Sequence, residues 1–146
     1  MRSERDFCTE LKRSTPTIQP CFWWKIVDAG FRNWFDIVCC CQGKFFAFEA
    51  KISKQKNQIN FYNLFRNRSH EIEALLKVEK SGGHAFVLVN VFDPGRHNYM
   101  AFFRAHDVDG WMKANKGVLP LDSIVEPEKI YKNKEGLWDL TRLINA

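Results

Sequence analysis

The sequence predicts an α/β domain with a central mixed β-sheet flanked by helices, and three observations lead there. The chain has 146 residues of which 45% are hydrophobic, enough for one packed core and too apolar for a disordered polymer. Two pairs of strand-like runs lie on either side of a stretch with helical periodicity. The first pair is apolar at successive positions, Ile37-Val38-Cys39-Cys40 and Phe45-Phe46-Ala47-Phe48, as in strands covered on both faces. No repeat, low-complexity segment or linker interrupts residues 1–146, so one domain is expected.

Taken in order, Phe7, Cys8 and Leu11 recur at helical spacing over Ser3 to Ser14, with Ser3 as cap and Pro16 and Pro20 in the loop that follows. Cys21 to Val27 is rich in aromatic and β-branched residues and reads as a strand. A loop through Gly30 leads to strands at Trp34 to Gln42 and Lys44 to Ile52, completing a three-stranded meander. Ser53 to Asn60 is polar and basic. A helical stretch begins at Phe61 to Phe65 and resumes from Ser69, where Ile72, Leu75, Leu76 and Glu79 set a 3.6 period that Gly82-Gly83 stops. A second hairpin pairs Ala85 to Phe92 with Asn98 to Arg104 through Asp93-Pro94-Gly95. Asp107 to Asn115 and Leu137 to Ile144 read as short helices. Pro120 and Pro127 mark irregular chain between them, with one short edge strand at Lys129 to Tyr131.

The first hairpin carries the chemistry. A tight turn at Gln42-Gly43 sets Cys41 opposite Lys44, so opposed residues have numbers that sum to 85 and Asp36 is expected to face Glu49. Like charges so placed repel, with β-carbons roughly 4.5–5.5 Å apart. Alternation puts Lys51 on the face of Glu49. Two acids and an ammonium entering a strand pair that is apolar on both faces suit a hard divalent cation such as Mg²⁺, which is held by carboxylates and substrate phosphate oxygens. That points to phosphodiester hydrolysis. A salt bridge on a solvent-facing hairpin is the alternative that geometry alone leaves open.

Composition narrows the remaining classes. A net charge of +5 and a pI near 9.0 favour a polyanionic partner without establishing one. The cysteines, Cys8, Cys21 and the run Cys39 to Cys41, contain no Cys-x-x-Cys spacing, and strand neighbours alternate faces, which argues against zinc. They read as small apolar core residues in a reducing compartment. His70, His84, His97 and His106 show no metal-binding spacing either. The charged start, Met1 to Asp6, and the lack of any long apolar run predict a soluble intracellular protein without a membrane segment. Lys54, Lys56, Arg66 and Arg68 stand in polar connections as candidate phosphate contacts. Trp23, Trp24, Trp34, Phe61 and Tyr62 are divided between core packing and contact with bases or a second subunit.

Asp36, Glu49 and Lys51, in the order D...ExK, resemble the signature of the PD-(D/E)XK nucleases. The wider chain resembles the Holliday junction resolvases of that superfamily, both archaeal-type and RecU-type. Glu4, seven residues before Leu11, is similar to the acid of the family's opening helix. His70 to Leu75 stands where relatives carry Gln-Ile-x-x-Leu, and Gly82-Gly83 before Ala85 to Val89 is like the family's Gly-Gly-x-x-Phe segment. Phe35 replaces the family proline, and Glu71 the helical glutamine.

The resemblance implies a restriction-endonuclease-like fold and a Mg²⁺-dependent endonuclease, with Mn²⁺ as a substitute. Asp36, Glu49 and the Ala50 carbonyl would hold the metal, Lys51 would act beside the attacking water, and Glu4 would help complete the site. Glu10 is a weaker candidate for that last place, and Glu71 and His70 form a possible additional site. The implied substrate is a four-way junction in a prokaryotic or viral host cytoplasm, nicked in pairs by a homodimer. The alternatives are another endonuclease of the superfamily acting on other DNA, a relative that binds DNA without cutting it, and a structural or interaction protein with a charged hairpin.

Overall fold

The computed structural model describes residues 2–18, 21–25 and 35–146. The expectations for Pro20, Ile26, Val27, Gly30 and Trp34 lie outside the described residues. The opening helix α1 (Glu4–Ser14) begins at a capping box: the Ser3 side chain accepts from the Asp6 backbone N–H, and the Asp6 carboxylate accepts from that of Ser3. Three antiparallel strands follow, β1 (Cys21–Lys25), β2 (Ile37–Cys41) and β3 (Lys44–Ser53). Gln42 and Gly43 have φ of 54° and 77°. Such a turn matches the twist of the strands it joins, and it fixes the expected register from Cys41 opposite Lys44 to Ile37 opposite Phe48.

A short strand β4 (Gln58–Asn60) leads into helices α2 (Phe61–Leu64) and α3 (Ser69–Lys80). At the end of α3, Gly82 adopts φ 93°, and the N–H groups of Gly82 and Gly83 return to the carbonyls of Glu79 and Val78. This glycine-dependent cap turns the chain into β5 (His84–Asp93), which runs parallel to β3. The remaining elements are β6 (His97–Arg104), α4 (Ala105–Lys113), β7 (Val118–Pro120), β8 (Lys129–Ile130) and α5 (Thr141–Ile144). The main sheet has six strands in the order β1-β2-β3-β5-β6-β8, and β4 pairs with β7 apart from it. This is the expected mixed sheet between helical layers.

Both faces of the central strands are buried. On one, Phe46, Phe48 and Ala50 pack with Phe7 and Leu11 of α1 and with Trp138 and Leu143. On the other, Ala47, Val87 and Val89 pack with Phe61, Ile72, Leu75 and Val108 from α2, α3 and α4. Trp23, Phe48, Phe86 and Phe102 meet in succession across the first face at centroid separations of 5.7, 6.1 and 6.0 Å. Much of the aromatic content is therefore core, including Phe61, which is fully buried.

Three expectations are corrected. Leu137 to Leu140 is not helical, because Trp138 forms a bridge with Lys132 and its backbone N–H donates to Ser14 Oγ, leaving α5 only Thr141–Ile144. The polar stretch around Gln58 and the stretch around Pro120 expected to be irregular each contain a strand. Cys21 and Cys41, directly opposed across β1 and β2, form a disulfide, so these two are a covalent link and not merely small core residues.

Phe48 is 1% exposed and Phe45, three residues earlier on the same strand, is 45% exposed. Phe48→Ala is expected to lower unfolding stability by about 3–5 kcal/mol through the cavity it leaves, and Phe45→Ala by less than about 1 kcal/mol, both read by urea denaturation.

Candidate active site

The site forms where β2 ends and β3 continues. Beyond Phe48, β3 has no β2 partner among the described residues, while β5 still flanks it as far as Ser53 opposite Val91. Asp36 stands at this break, and here the sequence-based pairing is off by one residue. Its N–H donates to the Phe48 carbonyl at 3.0 Å, so the backbone of Asp36 does not pair with that of Glu49. The side chain bridges the step instead, Oδ2 accepting the Ala50 N–H at 2.8 Å. In a strand, the N–H and C=O of one residue point to the same edge. The Ala50 carbonyl therefore faces the open edge beside Asp36.

Alternation sends Glu49 and Lys51 to the α3 side, where they are 2% and 3% exposed. Lys51 Nζ donates to Glu71 Oε1 at 2.8 Å and lies 3.6 Å from Glu49 Oε1 and 4.0 Å from Glu4 Oε1. It also sits 5.0 Å above the Phe65 ring, a cation–π contact that holds the ammonium from another side. Glu71 comes from the first turn of α3 and has Arg68 Nη1 4.0 Å from its other oxygen. Glu4 comes from the opposite helical layer, and its half-exposed carboxylate reaches round the sheet at the break.

Three carboxylates thus surround one buried ammonium, and Asp36 lies beside Glu49. Burial, reinforced by the charges of Asp36 and Glu71, pushes the Glu49 carboxyl far above its ordinary value of 4.5. Glu4 is raised too, chiefly by burial, with Lys51 opposing the shift and Asp36 and Glu71 adding to it. Burial by itself would lower Lys51, but its hydrogen bond to Glu71 and the charges of Glu49, Glu71 and Glu4 outweigh that and raise it.

Among the described residues no group of three or more His, Cys, Asp or Glu side chains is arranged around a common metal position. The acids converge on the Lys51 ammonium instead. The donor set nevertheless fits a hard cation: it is all oxygen, it carries more acid than Lys51 can neutralise, and its most buried member is forced towards the neutral form.

The other candidates are dispersed. Glu10 is held by both guanidinium nitrogens of Arg2 at 2.7 Å and by Lys132 at 3.0 Å, away from the cluster, so it is a structural ion pair. Its carboxyl is half-buried, which by itself would raise it, yet Arg2 and Lys132 hold it down to about 2. His70 is half-buried in the wall of a neighbouring cavity. Lys54, Lys56, Arg66 and Arg68 are exposed, Arg68 closest to the acids and Arg66 hydrogen-bonded to Asn63. The contact of Phe65 with Lys51 has no local signature in the sequence, whereas the Arg68–Glu71 contact follows the three-residue spacing of a helix turn.

The sequence matches the Recombination protein U family over residues 13–143, nearly the whole of this fold. The chain belongs to this family, RecU, of Holliday junction resolvases. RecU proteins are nucleases, so the acid cluster sits in a DNA-cleaving fold, although Glu4 precedes the matched residues. Among solved structures, the chain is similar to Archaeoglobus fulgidus Hjc, a Holliday junction resolvase, with 21% identity and a TM-score of 0.43 over 70% of this chain and 74% of that one. No curated protein matches it. No helix among the described residues is long and apolar enough to cross a membrane.

The raised Glu49 predicts a pH dependence without metal. An acid whose folded-state pKa exceeds its unfolded value stabilises the fold most below the unfolded value, and that contribution is lost as pH rises towards the folded value. In EDTA, wild-type stability should therefore fall as pH rises above 4.5, by up to about 1.4 kcal/mol per pH unit, and Glu49→Gln should flatten the slope. Urea denaturation across pH reads both. Added Mg²⁺ should raise wild-type stability and leave Glu49→Gln nearly unchanged.

Proposed function

We propose that this RecU-family chain is a Mg²⁺-dependent endonuclease that resolves four-way DNA junctions with the cluster at the β2–β3 break. The observation that carries the reading is the burial of Glu49 and Lys51 among Asp36, Glu71 and Glu4, an arrangement that is costly unless a cation and a phosphate complete it. Asp36, Glu49 and the Ala50 carbonyl are the residues that would hold the metal. Bound there, Mg²⁺ would supply a Lewis acid for the phosphoryl oxygen and a more acidic water.

The chain's own groups do the rest. Hydrolysis adds hydroxide to phosphorus, breaks one P–O bond and delivers a proton to the leaving oxygen. Lys51, fixed by Glu71 and Phe65, orients the incoming water and stabilises the negative charge that grows on the phosphoryl oxygens. Glu71 is a positioning residue for Lys51. Glu4, the most accessible of the acids, orders water at the mouth of the site. Lys54, Lys56, Arg66 and Arg68 contact the backbone of the bound DNA and add affinity without sequence preference. His70, at the start of α3, lies beside the strand that enters.

Each chain carries one such site and cuts one strand. Paired nicks across a junction follow when two chains associate about a two-fold axis that matches the symmetry of the junction arms. Such an enzyme works where the DNA is, inside the cell.

Asp36→Asn and Glu49→Gln are expected to abolish cleavage while binding is kept or tightened, because less negative charge faces the phosphate. Lys51→Ala is expected to slow cleavage by roughly 10²–10³-fold with a smaller change in Mg²⁺ affinity. Labelled four-way junction, linear duplex and single strand, each incubated with Mg²⁺ or EDTA, read these outcomes. Wild-type turnover in any of the three variants, or cutting in EDTA, would overturn the site. Equal cutting of duplex and junction would reassign the substrate.

A further inference from the structure

Among the described residues, the α3 side of the sheet is covered over β3 and β5, whereas apolar side chains of β1 stand exposed on it. Phe22 of β1 is 65% exposed, Trp24 59% and Phe45 of β3 45%. The registers bring them together: Phe22 opposes Cys40, which opposes Phe45, and Trp24 opposes Val38, which opposes Ala47. The result is a continuous apolar surface, with the rings of Phe22 and Trp24 6.2 Å apart. A patch of this kind on a soluble protein marks an interaction site. It runs into a cavity of about 740 Å³ between the hairpin and α3, with Phe35, Phe45, Ala74 and Val78 in its walls.

Two further observations decide the occupant. The cavity neighbours the candidate active site without including its acids or Lys51, for its wall residues Phe35 and His70 directly precede Asp36 and Glu71 in the chain. Its charged lining is mainly basic, with Lys44 and Lys77 against the single acid Glu73. A second copy of the chain would bring the same lysines to the same surface, whereas a polyanion complements them. An apolar trough with basic edges, opening beside a phosphodiester-cleaving site, suits a strand whose phosphates meet the lysines and whose base meets the aromatic rings.

We propose that this trough binds an unstacked nucleobase of the DNA strand engaged at the acid cluster. The inference rests on the nuclease reading of that cluster. Bases inside a duplex have both faces covered by their neighbours, and only a base freed at the branch presents a face to Phe45. The trough therefore favours branched over linear DNA, and it does so through groups that take no part in hydrolysis.

The test measures binding of the full chain in EDTA, so that it does not depend on cutting. A four-way junction and a linear duplex of equal length are compared for wild type, Phe45→Ala and Lys77→Glu. Phe45→Ala is expected to weaken junction binding by about tenfold and duplex binding by less than about twofold. Lys77→Glu should weaken both. Junctions carrying 5-iodouracil next to the branch should photo-crosslink to Phe35, Phe45 or Trp24, as read by peptide mass spectrometry. Equal loss on both DNAs, no loss on either, or crosslinks confined to other residues would overturn the proposal. A dimer that falls to monomer on Phe45→Ala in sedimentation would overturn it in favour of a subunit interface. Loss of cleavage in Asp36→Asn with these binding results intact supports both readings. Cleavage that persists in Asp36→Asn overturns the nuclease site alone.

Discussion

The hydrogen bond between Lys51 and Glu71 joins the sheet to its helical cover through a pair of buried charges. Both groups are almost fully withdrawn from water, so neither could be buried without a charged partner; removing one member of such a pair costs about 3–5 kcal/mol because the other is left uncompensated. The pair fixes α3 over the end of β3, and it draws Glu49 and Glu4 towards the same ammonium. The geometry of the site is thus a consequence of how the fold tolerates charge in its interior. The excess of acid over base left after that compensation is what gives the site an appetite for a cation.

The break between β2 and β3 is the second determinant. Had β2 continued, the backbone groups of Ala50 would be spent in the ladder. Because it stops, Asp36 takes the Ala50 N–H with its side chain, and the edge beside it stays open. The family's proline at position 35 would serve the same end, since proline donates no ladder hydrogen bond. Phe35 lacks that restriction, and here the one-residue slip of Asp36 against Phe48 ends the pairing instead. The exchange of the helical glutamine for Glu71 has a physical account as well: a carboxylate gives Lys51 a charged partner where an amide would give a neutral one.

Much of this was legible in the sequence because it rests on short-range rules. The Gln42-Gly43 turn fixed the register, alternation placed Glu49 and Lys51 on one face, and the period of Ile72, Leu75 and Leu76 placed α3. Other features depend on partners distant in the chain and left no local trace. Strands β4 and β7 are three residues each and exist because they pair with one another. Leu137 and Trp138 carry a helix-like pattern, but Ser14 and Lys132 capture the backbone first. The Cys21–Cys41 link requires the register of β1 on β2, which no spacing announces. Glu10 could be told from Glu4 only by seeing Arg2 and Lys132 close on it.

The acids and the lysine come from α1, the entry to β2, β3 and α3, and they meet only through the parallel pairing of β3 with β5 and the docking of helices on both faces. Parallel pairing closes a long loop and is among the slower events in folding. A partly made chain therefore holds every residue of the proposed hydrolytic site without the ability to act. The proposed reactive centre is assembled by the same late contacts that complete the fold, so on that reading competence to cut DNA and structural maturity arrive together.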